Sequence, residues 1–367
     1  MKRNILTLIM VRIVGFGYIG SGKILDKKFA ESYDITSIVG KDRYETSVLL
    51  GELEENKNAK SAFLINTDNI GEAITAVSFA NIKNIPVLFT KCEEISADIW
   101  GKIKNDGIEN VYIVGGINSV SKPVERAVER TGAEAIRITD VRGFDISLRL
   151  ADKLYKMKPF DEIAICSGEE NGLSEGVSMS IAASREGIPV IPINDSNVYD
   201  VVNFIKERNI KKTYLVGDES KVPETIAKLI TNTERISGET VYRTNRKIIE
   251  RFYDMDNVEE AFVAKGGTFL YGTNLQIGEF VNSISVANIS ADKNIPVIFG
   301  EENYLEEDQR EFIDKHGIKK LTAIGFTLER EEILNVERTR TASAVVLMLI
   351  SILLFIVVVK KEHNKEV

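Results

Sequence analysis

The sequence predicts an α/β protein made of three tandem copies of one parallel-sheet unit, followed by a membrane-spanning helix. Three observations predict it. The stretch Asn84-Ile85-Pro86-Val87-Leu88-Phe89 returns as Gly187-Ile188-Pro189-Val190-Ile191 and again as Asn294-Ile295-Pro296-Val297-Ile298-Phe299. A second strand-like run ending in glycine follows each proline at nearly fixed distance, 29, 28 and 29 residues on, at Gly115, Gly217 and Gly325. Apolar runs alternate with helix-like stretches throughout, the pattern of parallel strands joined by right-handed crossovers. A period of about one hundred residues is too long for a solenoid unit, so each copy is expected to be a small α/β domain.

In chain order, Lys2 and Arg3 precede the apolar run Ile5–Val11, and Gly20-Ser21-Gly22 offers small residues for cleavage, so 1–22 reads as a signal-peptide-like segment. The copies are expected over 35–135, 136–234 and 235–338. In the first, strands are predicted at 35–39 and 62–65 and around Val87 and Val111, with helices over 44–53, 72–81, 97–104 and 123–130. Asn84, Gly187 and Asn294 each stand where a helix closes in the left-handed conformation, and the proline two residues on prevents its continuation. The run behind each proline reads as a strand buried on both faces. Pro123 fits the first turn of a helix with Ser121 as its cap. An aromatic opens the first helix of each copy at Tyr44, Phe144 and Tyr242, and the longer distance from Tyr242 to its proline places an insertion between Lys265 and Gly278.

After Arg338 the composition changes. Residues 342–359 are uninterrupted apolar or small side chains, and 18 residues at a rise of about 1.5 Å each span roughly 27 Å, close to a bilayer core. This predicts a transmembrane helix with a short lysine-containing tail over 360–367. The flanking positive charges are balanced, so the expected orientation, repeats outside, rests on the amino-terminal segment.

Composition narrows the function. A net charge of −8 and a pI near 5.2 argue against the broad positive field of a nucleic-acid binder. Cys92 and Cys166 read as free thiols, and two histidines leave little room for histidine-based metal or triad chemistry. Catalysis of the phosphoryl-transfer kind would need paired carboxylates after strands, and the tight pair Asp254-Met255-Asp256 lies in a linker-like segment instead.

The most specific motif is Gly40-Lys41-Asp42-Arg43-Tyr44-Glu45-Thr46-Ser47. Glycine permits a tight strand exit, Asp42 can cap a helix, and the helix start could accept an anionic group through its free N–H groups and positive dipole end. Equally, it could be no more than a capped helix whose tyrosine packs on the sheet. Together with Ile85–Thr90 and Val111–Ser121, this motif resembles the clostridial type-two cell-wall-binding repeats. That resemblance implies three Toprim-like α/β repeats in one pseudo-threefold module, holding a surface protein non-covalently to an anionic wall polymer of teichoic-acid type, without a cofactor.

Mapped position by position, the resemblance gives Lys41, Arg43, Tyr44, Thr46 and Glu72 as ligand-binding candidates in the first copy, Arg142 and Glu175 in the second, and Arg243 in the third. The later copies depart from the pattern. Asp42-Arg43-Tyr44 becomes Arg142-Gly143-Phe144 and Thr240-Val241-Tyr242, Gly115-Gly116 becomes Gly217-Asp218 and Gly325-Phe326, and the acidic position fourteen residues before the proline becomes Asn282. The expected function is a membrane-anchored, non-enzymatic surface protein linking membrane and wall. The competing expectation is a cell-surface scaffold that binds other surface proteins and no glycan.

Overall fold

A computed structural model describes residues 33–53, 59–139, 145–267, 279–300, 305 and 307–328. The signal-like segment 1–22, the insertion beyond Gly267, the 342–359 span and its tail lie outside the described residues, as does Arg142. Among the described residues no helix is long and apolar enough to cross a membrane.

The described residues of the body over Asp34–Thr327 form twelve strands in three parallel sheets of four. In chain order the strands are β1 (Asp34–Ile38), β2 (Ser61–Asn66), β3 (Val87–Thr90), β4 (Asn110–Val114), β5 (Glu134–Ile138), β6 (Glu162–Ser167), β7 (Val190–Ile193), β8 (Lys212–Val216), β9 (Thr233–Ile236), β10 (Glu260–Lys265), β11 (Val297–Gly300) and β12 (Lys320–Ile324). The sheets run β3-β2-β4-β5, β7-β6-β8-β9 and β11-β10-β12-β1. The last strands of the first two, β5 and β9, straddle the copy boundaries at 135/136 and 234/235. The third is completed by the first strand of the chain, with Asp34 opposite Lys320 and Ile38 opposite Ile324. The strand that opens the first sequence copy therefore closes the sheet of the third, and the three units are tied into a ring.

The helices explain the ring. The helices that follow a fourth strand, α1 (Arg43–Gly51), α5 (Asp145–Met157) and α9 (Val241–Phe252), pack on the next unit's proline strands, β3, β7 and β11. Between β2 and β3 runs α2 (Ile70–Lys83); its counterparts are α6 (Leu173–Ala183) and, in the third unit, the pair α10 (Phe280–Ser285) and α11 (Ala287–Lys293), broken at Val286. These central helices pack on one another. They are rich in Ala, Ser and Gly, so their backbones approach closely, and every residue of α6 is buried, as expected of a helix with no solvent face. Of the remaining long helices, α3 (Ala97–Asn105), α7 (Val198–Glu207) and α12 (Glu307–Lys315) follow the proline strands β3, β7 and β11, α4 (Lys122–Glu129) follows β4, and the one-turn α8 (Glu224–Ala227) takes the place of α4 in the second unit.

Polar side chains on the central helices pair with backbone carbonyls of the neighbouring unit. Thr75 Oγ1 donates to the Val190 carbonyl at 2.7 Å and Ser78 Oγ to that of Ile188 at 2.8 Å. Asn288, eight residues before its proline as Ser78 is, donates to the Ile85 carbonyl. At the corresponding place in the second unit stands Ile181, and there the polar link is made instead by Asn245, which donates to Ser178 Oγ at 2.8 Å and to the Val297 carbonyl at 3.0 Å.

The three helix closures expected before the prolines are left-handed, with φ of 48° at Asn84, 71° at Gly187 and 55° at Asn294. Within the first sheet Phe63 is fully buried, edge-on to Phe79 with ring centres 5.5 Å apart and tilted against Tyr112. Its other face buries Leu64, Leu88, Ile99, Ile103, Val111 and Val124. Cys92 and Cys166 are both free.

Candidate functional site: the crevice between the second and fourth strands

In a sheet of order β3-β2-β4-β5 the chain leaves β2 for the central helix on one face and β4 for an outer helix on the other. The carboxyl ends of β2 and β4 therefore diverge, and such a switch point is where open α/β sheets place their ligands. In the first unit the crevice is lined by Asn66, Asn69 and Glu72 from the β2 end and by Gly115–Ser119 from the β4 end.

Glu72 lies in the first turn of α2, partly exposed. Ser119 Oγ donates to its Oε2 at 3.2 Å, and Asn69 Nδ2 donates to Ser119 Oγ at 2.6 Å. Asn66 Nδ2 holds the Ser119 carbonyl at 2.7 Å, which fixes the loop against the strand end. Burial pushes the Glu72 carboxyl up to about 7, opposed by the Ser119 hydroxyl, and no cation among the described residues offsets it. Gly115 makes this contact possible: at φ 106°, a Cβ there would lie 2.5 Å from Ser119 Oγ and 2.7 Å from Glu72 Oε2. Arg137, on β5, fastens the same loop from behind by donating to the carbonyls of Gly115 at 2.9 Å and Gly116 at 3.0 Å. The N–H groups of Gly116, Ile117 and Asn118 have no partner among the described residues.

The second unit has the same geometry with different chemistry. Glu175 is 2 % exposed, and Lys221, four residues after Gly217 as Ser119 is after Gly115, sets its ammonium on Glu175 Oε1. Asp218 replaces Gly116 and accepts the Ser220 N–H at 2.9 Å. Arg235 repeats the part of Arg137, donating to the Gly217 carbonyl at 2.9 Å. In the third unit Asn282 takes the acidic position beneath Gly325.

The helix opening is a different place from the one the motif suggested. Asp42 caps α1 by accepting the N–H groups of both Tyr44 and Glu45 at 2.9 Å, and Glu45 accepts that of Lys41. The N–H groups of Tyr44 and Glu45 are thus taken by the cap and are not free for an anion. Thr46 is buried; its hydroxyl accepts the Gly40 N–H at 3.0 Å and donates to the Asp42 carbonyl at 3.0 Å. Thr244 repeats this with Gly238 and Thr240, so the Gly-to-Thr spacing of the motif builds a turn. Lys41 pairs with Asp98 at 2.7 Å. Arg243 pairs with Asp308 at 2.6 Å and with Glu239. Arg43 is exposed and makes no ion pair among the described residues. Tyr44 reaches from α1 toward the β2 end, its hydroxyl 3.4 Å from Thr67 Oγ1.

The structure thus brings Glu72, and at a distance Tyr44, to the crevice edge, seats Glu175 in the equivalent crevice, and ties Lys41 and Arg243 to carboxylates elsewhere. Sequence reasoning missed Ser119, Lys221, Asn69 and Arg137. The four-residue step from each strand-ending glycine would have found the first two.

Residues 37–125 match the model of the family described as cell wall binding domain 2 (CWB2). That match begins near the end of β1 and ends within α4, so it covers most of the first sequence copy. Among curated proteins, the chain is 23% identical over 294 residues to the N-acetylmuramoyl-L-alanine amidase LytC of Bacillus subtilis, covering 80% of this chain and 55% of that protein. It is 25% identical over 217 residues to the amidase enhancer of the same organism, covering 58% of this chain and 29% of that one. Among solved structures, Cwp8 from Clostridium difficile superposes with a TM-score of 0.69 at 25% identity, over 83% of this chain and 51% of Cwp8. Cwp6 from Clostridium difficile superposes with a TM-score of 0.70 at 20% identity, over 81% and 46%. The chain spans about half or less of the length of each of these relatives.

Proposed function

We propose that this chain, whose first sequence copy belongs to the cell wall binding domain 2 family, is a non-catalytic cell-surface module that holds an anionic wall polymer non-covalently. The observation that carries this reading is the family match over 37–125, set in a body of three α/β units that shares its fold with Cwp8 and Cwp6. The contacts fall on the first unit. There the Gly116–Asn118 amides are open at the crevice mouth and the exposed guanidinium of Arg43 can take a phosphate by charge-assisted bonds. In the second unit the amide equivalent to that of Asn118, Ser220 N–H, is taken by Asp218, and the carboxylate below it by Lys221. The acidic net charge makes any such site local. The apolar run 342–359 would tie the module to the membrane, and the protein would then bridge membrane and wall.

The test is retention of the full-length chain on purified wall before and after chemical removal of its anionic polymer, repeated at rising salt. Retention should disappear with the polymer and weaken as salt screens the contact, and Arg43→Ala should reduce it. Equal retention on stripped wall would overturn the reading.

A further inference from the structure

The second unit reveals what the first lacks. Glu72 and Glu175 stand at the same place, fourteen residues before Pro86 and Pro189. Both lie under a strand-ending glycine of left-handed φ, 106° at Gly115 and 103° at Gly217. In the second unit the crevice is occupied from within: the Lys221 side chain runs past Gly217, with its Cδ 3.1 Å from where a Cβ would be, and its ammonium rests on Glu175. In the first unit the residue at that step is Ser119. Its hydroxyl reaches one carboxylate oxygen of Glu72 at 3.2 Å; the other oxygen has no partner among the described residues, and no lysine, arginine or histidine among them pairs with this carboxylate. A half-buried carboxylate without a counter-charge is costly, and in the sister unit the same carboxylate takes an ammonium.

We infer that the first-unit crevice is a binding site for a primary ammonium group, with Glu72 as its counter-ion and the place of the Lys221 ammonium as the place the ligand fills. The inference rests on the wall-polymer reading for its ligand: the ammonium belongs to an amino sugar or aminoacyl substituent of the polymer. The neighbouring Gly116–Asn118 amides suit a phosphate of the same chain. The site is then selective for a polymer carrying both charges. The second unit, its crevice filled by its own lysine, has no such site.

Two variants separate this from a merely structural carboxylate. Ser119→Lys supplies the ammonium from within, as the second unit does, and Glu72→Gln removes the counter-ion without changing shape. Full-length wild type and both variants are bound to purified wall treated with acetic anhydride, which turns free amines into amides, and to mock-treated wall. A charge-assisted bond contributes about 1.5–3 kcal/mol, so wild-type retention should fall by about tenfold or more on acetylation. Both variants should bind mock-treated wall as weakly as wild type binds acetylated wall, with no further loss on acetylation. Retention indifferent to acetylation overturns the site while leaving the polymer reading intact, and so does an acetylation effect that persists in both variants. Absence of retention on mock-treated wall overturns the polymer reading and this site with it.

Discussion

Lys221 sets its ammonium on Glu175, whereas the residue at its place in the first unit, Ser119, offers Glu72 only a hydroxyl at 3.2 Å. One scaffold thus carries the same carboxylate in two electrostatic states. The counter-charge is supplied or withheld by one side chain in the loop after β8 or β4.

The Glu175–Lys221 pair should behave as a buried ion pair. Glu175 is 2 % exposed and the Lys221 side chain 16 %. Removing one partner strands the other charge in a poorly solvated place, which costs about 3–5 kcal/mol, while removing both costs far less. Lys221→Met is therefore expected to lower stability by about 3 kcal/mol, and Lys221→Met with Glu175→Gln to recover most of it. Denaturant midpoints of the two variants check this. Equal losses in the single and double variants would show that the pair is not coupled.

The crevice glycines are held open by contact as well as by φ. At Gly325, with φ of 81°, a Cβ would fall 1.9 Å from Asn282 Nδ2, whereas at Gly317, with φ of 67°, it meets nothing within 4 Å. Gly317→Ala should cost about 1–2 kcal/mol, the price of a left-handed alanine. Gly325→Ala should cost a further 1–3 kcal/mol or so from overpacking. Asn282→Ala in the Gly325→Ala background should return part of that excess, measured by thermal or denaturant unfolding.

Much of this architecture is legible in the sequence because the central strands are apolar on both faces. β2 is buried from Ala62 to Asn66, and β3, β7 and β11 are buried throughout. The turns before them are equally plain, since asparagine and glycine are the residues that accept positive φ. The fourth strands are less plain: Glu134–Ile138 and Thr233–Ile236 are edge strands in which only the last residue is fully buried, so they lack an apolar run. The destination of β1 was illegible for another reason. Its partner lies far along the chain, Thr36 bonding Thr322 across 286 residues, and local pattern carries no information on such pairing. At the site, Glu72 and Glu175 could be counted from the prolines. Ser119 and Lys221 acquire meaning only when the β2 and β4 ends, or those of β6 and β8, meet in space.

Ring closure by β1 makes the third sheet separately vulnerable. Thr36 pairs with Thr322 along a parallel ladder whose flanking bonds run from Asp34 N–H to the Lys319 carbonyl and from Gly325 N–H to the Ile38 carbonyl. Thr36→Pro removes a donor from this ladder, at a cost of about 1–3 kcal/mol for the stranded acceptor. Amide exchange should then speed up in β12 and leave β4 and β8 protected. Uniform loss of protection in all three sheets would mean that the ring unfolds as one cooperative body.

The pH dependence of Glu72 has a fixed sign. Burial raises its carboxyl from an ordinary 4.5 to about 7 in the folded chain. The folded state therefore holds the proton more tightly than the unfolded one, and stability falls as pH rises from about 4.5 to about 7, then levels off. A shift of this size corresponds to at most about 3 kcal/mol, and partial exposure of the side chain reduces it. Glu72→Gln carries no such proton. It should match the wild type near pH 4.5 and exceed it in stability by about 1–3 kcal/mol at pH 8, read from denaturant midpoints at the two pH values. A carboxylate kept where it weakens the fold at neutral pH is what a binding site for a cation requires, since the ligand then supplies the missing charge. Added wall polymer bearing free amines should therefore raise the midpoint of wild type at pH 8 more than that of Glu72→Gln. Equal shifts would assign the stabilisation to contacts elsewhere on the module.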